Sequence, residues 1–376
     1  VWYLSDHGVR PSRDRDFGRT FAWDIDLLSG YPHRFLTGAC RSAPGSFWGC
    51  RLHEPLVEQL RTRAATALWI QGWQVAAYWQ AAQRAHGLGV EVWLRGESND
   101  LADTPAWKRV LKQVALGRLF GQVDRFLYIG EANKRLYRKF GVAERCLYAA
   151  PYAVDNARFA RQADALDGQR QALRRQWRIA DDAFCVLFCG KFIASKRPMD
   201  IVRAAAALMR RQPSRKLHLL FAGAGELGGA LRAACDVLHD ADSADKPVAA
   251  RGRIAASFTG FLNQTEISRA YVAADCLVLP SGYAETWGLV VNEALASGLP
   301  CIVSDACGCA QDFATSPAVA QFPMADVAAL SERIEGFAHE RPDRLACTQA
   351  VAGYSFDATV AAVVAAYTAA SGRHRS

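Results

Sequence analysis

Two glutamates eight positions apart, Glu285 and Glu293, stand in the stretch Ser281 to Asp312, SGYAETWGLVVNEALASGLPCIVSDACGCAQD. An apolar run, Cys276 to Leu279, closes on Pro280 just before it and reads as a buried strand. Leu289, Val290, Leu295 and Ala296 then recur at helical spacing, which puts Glu293 in the first two turns of a helix and Glu285 on the turn before it. A loop carboxylate is open to a ligand, a helix carboxylate is held in place, and either accepts hydrogen bonds from two hydroxyls at once. Thr286, Trp287 and Gly288 bring backbone N–H groups to the helix start, a place that attracts anions. Taken alone, two glutamates at this spacing also describe a solvated helix face. A glycosidase pair would need an acid and a nucleophile or base flanking a scissile bond, which this loop-and-helix placement fits poorly.

Basic and glycine residues follow other apolar runs in the same way. After Cys185 to Cys189 comes GKFIASKRP, in which Gly190 allows close backbone approach. Lys191 and Lys196 bracket that loop and can neutralise a diphosphate without a metal; the plain alternative is a pair of solvated lysines. Ala222-Gly223-Ala224-Gly225-Glu226 is a tight G-x-G turn without the rest of the dinucleotide fingerprint, and Gly260-Phe261-Leu262 ends a further strand.

This arrangement, E-x7-E within ETWGLVVNE followed by A-x-x-x-G-L-P, resembles the nucleotide-sugar site of retaining glycosyltransferases of family 4. The resemblance covers nearly the whole chain and is densest from Gly190 to Asp312. It implies an α/β protein of the GT-B fold, with two Rossmann-like doubly wound domains, a cleft between them and a C-terminal helix crossing back. The implied reaction moves a hexose from a UDP- or GDP-sugar to a hydroxyl of a glycan, lipid-linked or other acceptor, with retention of configuration and no metal or other cofactor. The resemblance gives Glu285 to the donor sugar, Glu293 to the ribose, and Lys196 and Lys191 to the diphosphate. Gly190, Gly223, Gly225, Gly260, Phe261, Thr286, Trp287, Gly288 and Leu289 complete the donor contacts. The family has Arg where Lys191 stands; an ammonium lacks the two-pronged grip of a guanidinium, so Lys196 takes the larger role.

The chain departs from the family in its first half. Where many members place a His after the strand equivalent to Glu91 to Leu94, this sequence has Arg95-Gly96-Glu97-Ser98-Asn99-Asp100. Arg95 suits an acceptor phosphate or the donor, Glu97 an acceptor hydroxyl, and Trp73 stacks either on a sugar or in the core. Val1 to Asp6 resembles the family's second strand, so a first β–α unit is expected to be missing.

The elements that must carry these residues alternate. Ala67 to Ile70, Glu91 to Leu94, Arg125 to Ile129 and Cys146 to Ala149 read as strands, separated by helical patterns at 75–86, 107–120 and 131–140. The alternation resumes with strands from Cys185, His218, Ser257, Cys276 and Pro300, and ends in a helical pattern from Phe356 to Ala370. Alternation of this kind builds parallel sheets covered by helices. The expected domains are 1–160 for the acceptor, 161–353 for the nucleotide sugar and 354–376 as the returning helix, with a polar linker across 151–175.

A chain of 376 residues with 51% hydrophobic content can bury two cores. It shows no run of about 18 apolar residues that would span a membrane. Eleven cysteines without paired metal spacing read as reduced cytoplasmic thiols, with Cys307 and Cys309 a weak metal signal. The net charge of +8 is uneven, 23 Lys+Arg against 16 Asp+Glu over residues 1–165. That excess suits an anionic membrane surface or a phosphorylated acceptor as well as plain solubility. The pattern Trp107 to Phe120, with Lys108, Arg109, Lys112 and Arg118, suits lipid head groups or a helix whose apolar face is core, and the expected location is cytoplasmic, with peripheral contact on the inner membrane face. Nucleic acid finds no motif here. Two other readings remain: a nucleotide-sugar 2-epimerase, whose His-rich site is not matched by His218 or His239, and a nucleotide-sugar-binding protein without catalysis.

Overall fold

The computed structural model describes residues 1–36, 40, 46–52, 55–101, 106–243 and 253–371. The chain divides into two compact units. Unit 1 takes Val1–Ser12, Asp26–Pro151 and Asp357–Ser376, and unit 2 takes Arg13–Ile25 and Tyr152–Phe356.

Unit 1 is built on four parallel strands lying side by side in chain order: Ala67–Ile70, Glu91–Leu94, Arg125–Tyr128 and Leu147–Ala149. Parallel neighbours need crossover connections, which the helices Ala76–His86, Ala106–Phe120 and Glu131–Lys139 supply. Side chains alternate across the strands, so the two faces bury different sets. Val92, Leu94 and Phe126 face the helices, among them the small residues Ala77, Ala81 and Ala85 that let a helix lie close. Trp93, Leu127 and Ala150 instead meet Ala362, Val363 and Ala366 of the terminal helix Phe356–Ser371.

One charge is enclosed at the start of these strands. The Arg125 side chain is 0% exposed. Its Nε donates to Glu91 Oε2 at 3.0 Å and its Nη2 to Oε1 at 3.2 Å, while Nη1 donates to the Tyr148 hydroxyl. Burial works against the guanidinium charge, yet the Glu91 hydrogen bonds and charge prevail and raise its pKa.

Unit 2 holds a seven-stranded parallel sheet. Its order is Asp236–Asp240, Ala255–Gly260, Leu217–Ala222, Phe184–Cys189, Cys276–Leu279, Cys301–Ser304, Val319–Phe322. The first of these in the chain, Phe184–Cys189, lies in the middle, and later strands are added on either side of it. Phe188, Phe192, Phe221 and Phe258 form an aromatic centre to the core, the rings of Phe221 and Phe258 stacked at 5.0 Å.

Several expectations need correction. Residues 151–175 are not a linker: they form the helices Asn156–Leu166 and Arg170–Gln176, with Phe159, Ala163 and Leu173 buried. Their polar residues make specific bonds, as where the Asp155 carboxylate accepts from Arg158 N at 2.8 Å and caps the first helix. The passage from unit 1 to unit 2 falls at Pro151 and Tyr152, and residues 13–25 belong to unit 2 rather than to the unit around them. Trp2–Tyr3 pairs in parallel with Arg34–Phe35 in a separate ladder, not in the four-stranded sheet. The strands Asp236–Asp240 and Val319–Phe322 were not anticipated. Cys40 and Cys50 are joined in a disulfide, so the reading of all eleven cysteines as reduced thiols fails there.

Candidate active site

Where strands are added in both directions from a middle strand, the loops at the carboxyl ends part and leave a crevice, the usual ligand position of open α/β sheets. In unit 2 that point lies between Phe184–Cys189 and Cys276–Leu279, which are paired neighbours. The loops that follow these two strands carry the lysines and the first glutamate. Gly282 N donates to Ser195 O at 2.9 Å, closing one loop on the other. Lys196 Nζ then forms an ion pair with Glu285 Oε2.

Gly288 opens the helix Leu289–Ala296 from a left-handed conformation, φ 104°. A Cβ there would lie 2.6 Å from Leu279 Cδ2, so only glycine lets the helix start this close to the strand. Thr286 is exposed and Leu289 half-buried. Trp287 is different. Its side chain is buried, its Nε1 donates to Asn292 Oδ1 at 2.8 Å, and its ring packs near Tyr152, Phe313 and Tyr354. Only its backbone is left for a ligand.

The glycine turns of the neighbouring strands are joined by their backbones. Gly190 N donates to Ala222 O, and Gly223 N to Gly260 O, both at 2.9 Å. A Cβ on Gly223 would lie 1.9 Å from Gly190 O, at φ +141°. Gly225 lies against the backbone of Phe192, whose N donates to Ala224 O at 2.8 Å. The loops therefore form one layer along the sheet edge.

Glu293 is 8% exposed. The Tyr271 hydroxyl donates to its Oε2 at 2.6 Å, and Gln264 Nε2 to its Oε1 at 3.4 Å. Arg158 in turn holds Gln264, with Nη1 donating to its carbonyl at 2.9 Å. Burial raises the Glu293 pKa above the usual carboxylate range, more than Tyr271, Gln264 and Arg158 lower it. Folded Glu293 thus binds its proton more tightly than the unfolded chain does. The stability this contributes is present at acid pH and is lost as pH rises through the raised value. Glu293→Gln should therefore raise the melting temperature near neutral pH while weakening binding of free UDP or GDP. A variant that melts lower and binds the nucleotide as before would contradict both halves.

Lys191 is not an open phosphate contact. Its Nζ lies 3.1 Å from Asp14 Oδ2 and 2.8 Å from Asp16 Oδ2. Burial disfavours the ammonium, but the two carboxylates outweigh it and raise the Lys191 pKa; at Asp14, burial is outweighed by backbone N–H bonds and by Lys191, which lower its pKa. These aspartates belong to residues 13–25, a segment missed at the sequence level. Phe17, Arg19 and Phe21 of that segment enclose the ring of Phe261, at 5.2 Å, 5.2 Å and 4.6 Å respectively. Asn263 Nδ2 donates to Ala22 O at 2.8 Å. A visible signal existed: aromatic and basic side chains stand at every second position, Phe17, Arg19, Phe21 and Trp23, the alternation of an extended chain, of which the structure extends Arg19–Phe21 and places Phe17 in the turn before it. A cavity of about 920 Å³ opens between this segment, the loop at Ser195 and the turn at Gly225 and Glu226, with Arg232 and Asp240 on its wall.

The remaining candidates lie in unit 1. Arg95 Nη2 donates to Pro151 O at 3.3 Å, and Glu97 on the same turn is exposed. The Trp73 ring presses on Gly96, where a Cβ would come within 2.0 Å of it, and neighbours Phe120 at 5.6 Å. Trp73 is thus used largely in packing. Among the described residues no group of three or more His, Cys, Asp or Glu side chains is placed to hold a metal. Cys307 and Cys309 are buried thiols whose pKa values burial pushes far up.

Residues 169–352 match the family model described as glycosyl transferases group 1. A D-inositol 3-phosphate glycosyltransferase of Nocardia farcinica is 29% identical over 72% of this chain. The chain is related to the glycosyltransferases. It spans only 58% of that relative's length. Among solved structures, the α,α-trehalose 6-phosphate synthase of Burkholderia multivorans aligns with a TM-score of 0.64 at 11% identity, over 85% of this chain and 75% of that one. Anabaena HepE, solved with UDP and glucose, aligns with a TM-score of 0.56 at 15% identity, over 90% and 86%. These likenesses show the GT-B fold.

Proposed function

We propose that the protein transfers a hexose from a UDP- or GDP-sugar to an acceptor hydroxyl with retention of configuration. The observation that carries this is the Lys196–Glu285 ion pair at the switch point of the unit 2 sheet, beside the start of the helix that carries Glu293. The two charges of this pair offset each other. A bound donor would part them, its phosphate taking the ammonium and its sugar hydroxyls taking the carboxylate. Glu293, steadied by Tyr271 and Gln264, would accept from the ribose hydroxyls. As the bond to the diphosphate breaks, negative charge gathers on the leaving oxygen, where Lys196 and the amides at the helix start stabilise it without reorganising. The leaving phosphate itself can take the acceptor proton, so no histidine is required. We assign acceptor contacts to Arg95 and Glu97. UDP complexes of a protein with this fold support the donor class. The test is turnover of UDP- and GDP-hexoses, with product anomers read by NMR. Inverted product, or no turnover alongside tight nucleotide binding, would replace this reading with an inverting enzyme or a binding protein.

A further inference from the structure

The helix Ala106–Phe120 of unit 1 is apolar on two sides. Leu116, Leu119 and Phe120 are buried in the core. On its outer side Trp107, Val110, Leu111 and Val114 are 63%, 58%, 63% and 70% exposed. These four occupy positions i, i+3, i+4 and i+7 and therefore form one continuous stripe. A contiguous exposed stripe of this kind marks an interaction surface, whereas scattered apolar residues do not. The surface extends sideways into a groove of about 640 Å³ lined by Phe47, Trp48, Trp79, Lys112 and Leu116. Trp48 is itself 65% exposed, with the Arg51 guanidinium 4.7 Å over its ring.

The charge around the stripe selects the partner. The helix contains no acidic residue. Arg109, Lys112 and Arg118 are exposed on it, and the Lys108 side chain lies outside the described residues. Unit 1 has 20 Lys+Arg against 12 Asp+Glu and unit 2 has 25 against 25, so unit 1 accounts for the whole net charge of +8. A second copy of the same face would bring like charges together. Nucleic acid would match the charge but not the aliphatic Val110, Leu111 and Val114. A bilayer with anionic head groups satisfies both: the apolar stripe sinks to the acyl boundary, the basic side chains stay among the phosphates, and Trp48 and Trp107 sit at the interface that indole rings favour.

We propose that this face of unit 1 docks the protein on an anionic lipid bilayer, with Trp107, Val110, Leu111 and Val114 inserted and Arg109, Lys112 and Arg118 against the head groups. The docking is independent of the catalytic reading and is tested without turnover. The full chain is mixed with phosphatidylcholine vesicles, with and without phosphatidylglycerol, and bound protein is measured by flotation at low and high salt. It should bind the phosphatidylglycerol vesicles far better than the neutral ones, and less at high salt. The double substitution Trp107→Ser, Leu111→Ser should weaken that binding on the order of tenfold or more. Its melting temperature should stay unchanged, because both side chains are largely in water. Arg109→Glu with Lys112→Glu should abolish the preference for phosphatidylglycerol. Any of three outcomes overturns the proposal: no binding to either vesicle, binding unaffected by both double variants, or a wild-type dimer that the serine variant converts to monomer.

Discussion

Lys196→Ala should lower donor turnover by about a hundredfold to a thousandfold, the cost of removing one preorganised charge stabiliser from a site of this kind. The reason lies in its position: Lys196 follows the middle strand of the unit 2 sheet and is paired with a carboxylate, Glu285. Lys191→Ala should cost less, since Lys191 is held by Asp14 and Asp16 and a donor must compete with both for it. Lys191→Arg should keep or raise activity, a guanidinium being able to serve a carboxylate and a phosphate together. Turnover should also survive EDTA, because lysine and helix amides meet the leaving-group charge. The measurement is steady-state turnover of wild type and variants with and without chelator. An unaffected Lys196→Ala, or activity abolished by EDTA and restored by Mn²⁺ or Mg²⁺, would place the charge stabilisation elsewhere.

The largest effect on stability is expected in unit 1. Glu91→Ala should destabilise unit 1 by about 3–5 kcal/mol, because it strands a fully buried guanidinium. Glu91 accepts from Arg125 twice and also from Trp93 Nε1 at 2.9 Å, so three donors lose their partner at once. Replacing the pair together, Glu91→Leu with Arg125→Met, should recover much of the loss, since an apolar pair carries no desolvation cost. Urea unfolding followed by circular dichroism decides it. If the single variant shifts the midpoint no more than a surface substitution does, the ion pair is not what holds these two strand starts.

The sheet strands and the acid-bearing turn were legible because each is a local pattern. Apolar runs such as Cys276–Leu279 are bounded by proline or glycine, and Glu285, Gly288 and Glu293 lie within nine residues of one another. The partners of those residues were not legible. Tyr271 and Gln264 reach Glu293 from another strand's connection, and Asp16, with Asp14 beside it, reaches Lys191 across 175 positions of the chain. No short-range spacing records such contacts. The misread linker shows a different limit. Arg170 and Arg174 look like solvated charge, yet Arg174 is 4% exposed, with Nη1 donating to Ala273 O at 3.1 Å and Nη2 to Ala180 O at 2.7 Å. Composition counts a charge without showing whether backbone carbonyls satisfy it.

The interleaving of the two units in the chain bears on the order in which the protein can be made. A ribosome releases residues 1–151 first, but the helix that covers Trp93, Leu127 and Ala150 is not delivered until residues 357–371 emerge. Unit 1 must therefore wait, with one sheet face uncovered, while all of unit 2 is synthesised. Residues 13–25 wait as well, since the Lys191 and Phe261 they will hold appear more than a hundred and fifty residues later. Unit 2 has all its parts once Phe356 is out, so the later half of the chain can mature before the earlier half. For the same reason neither unit can be cut free by a single break in the chain.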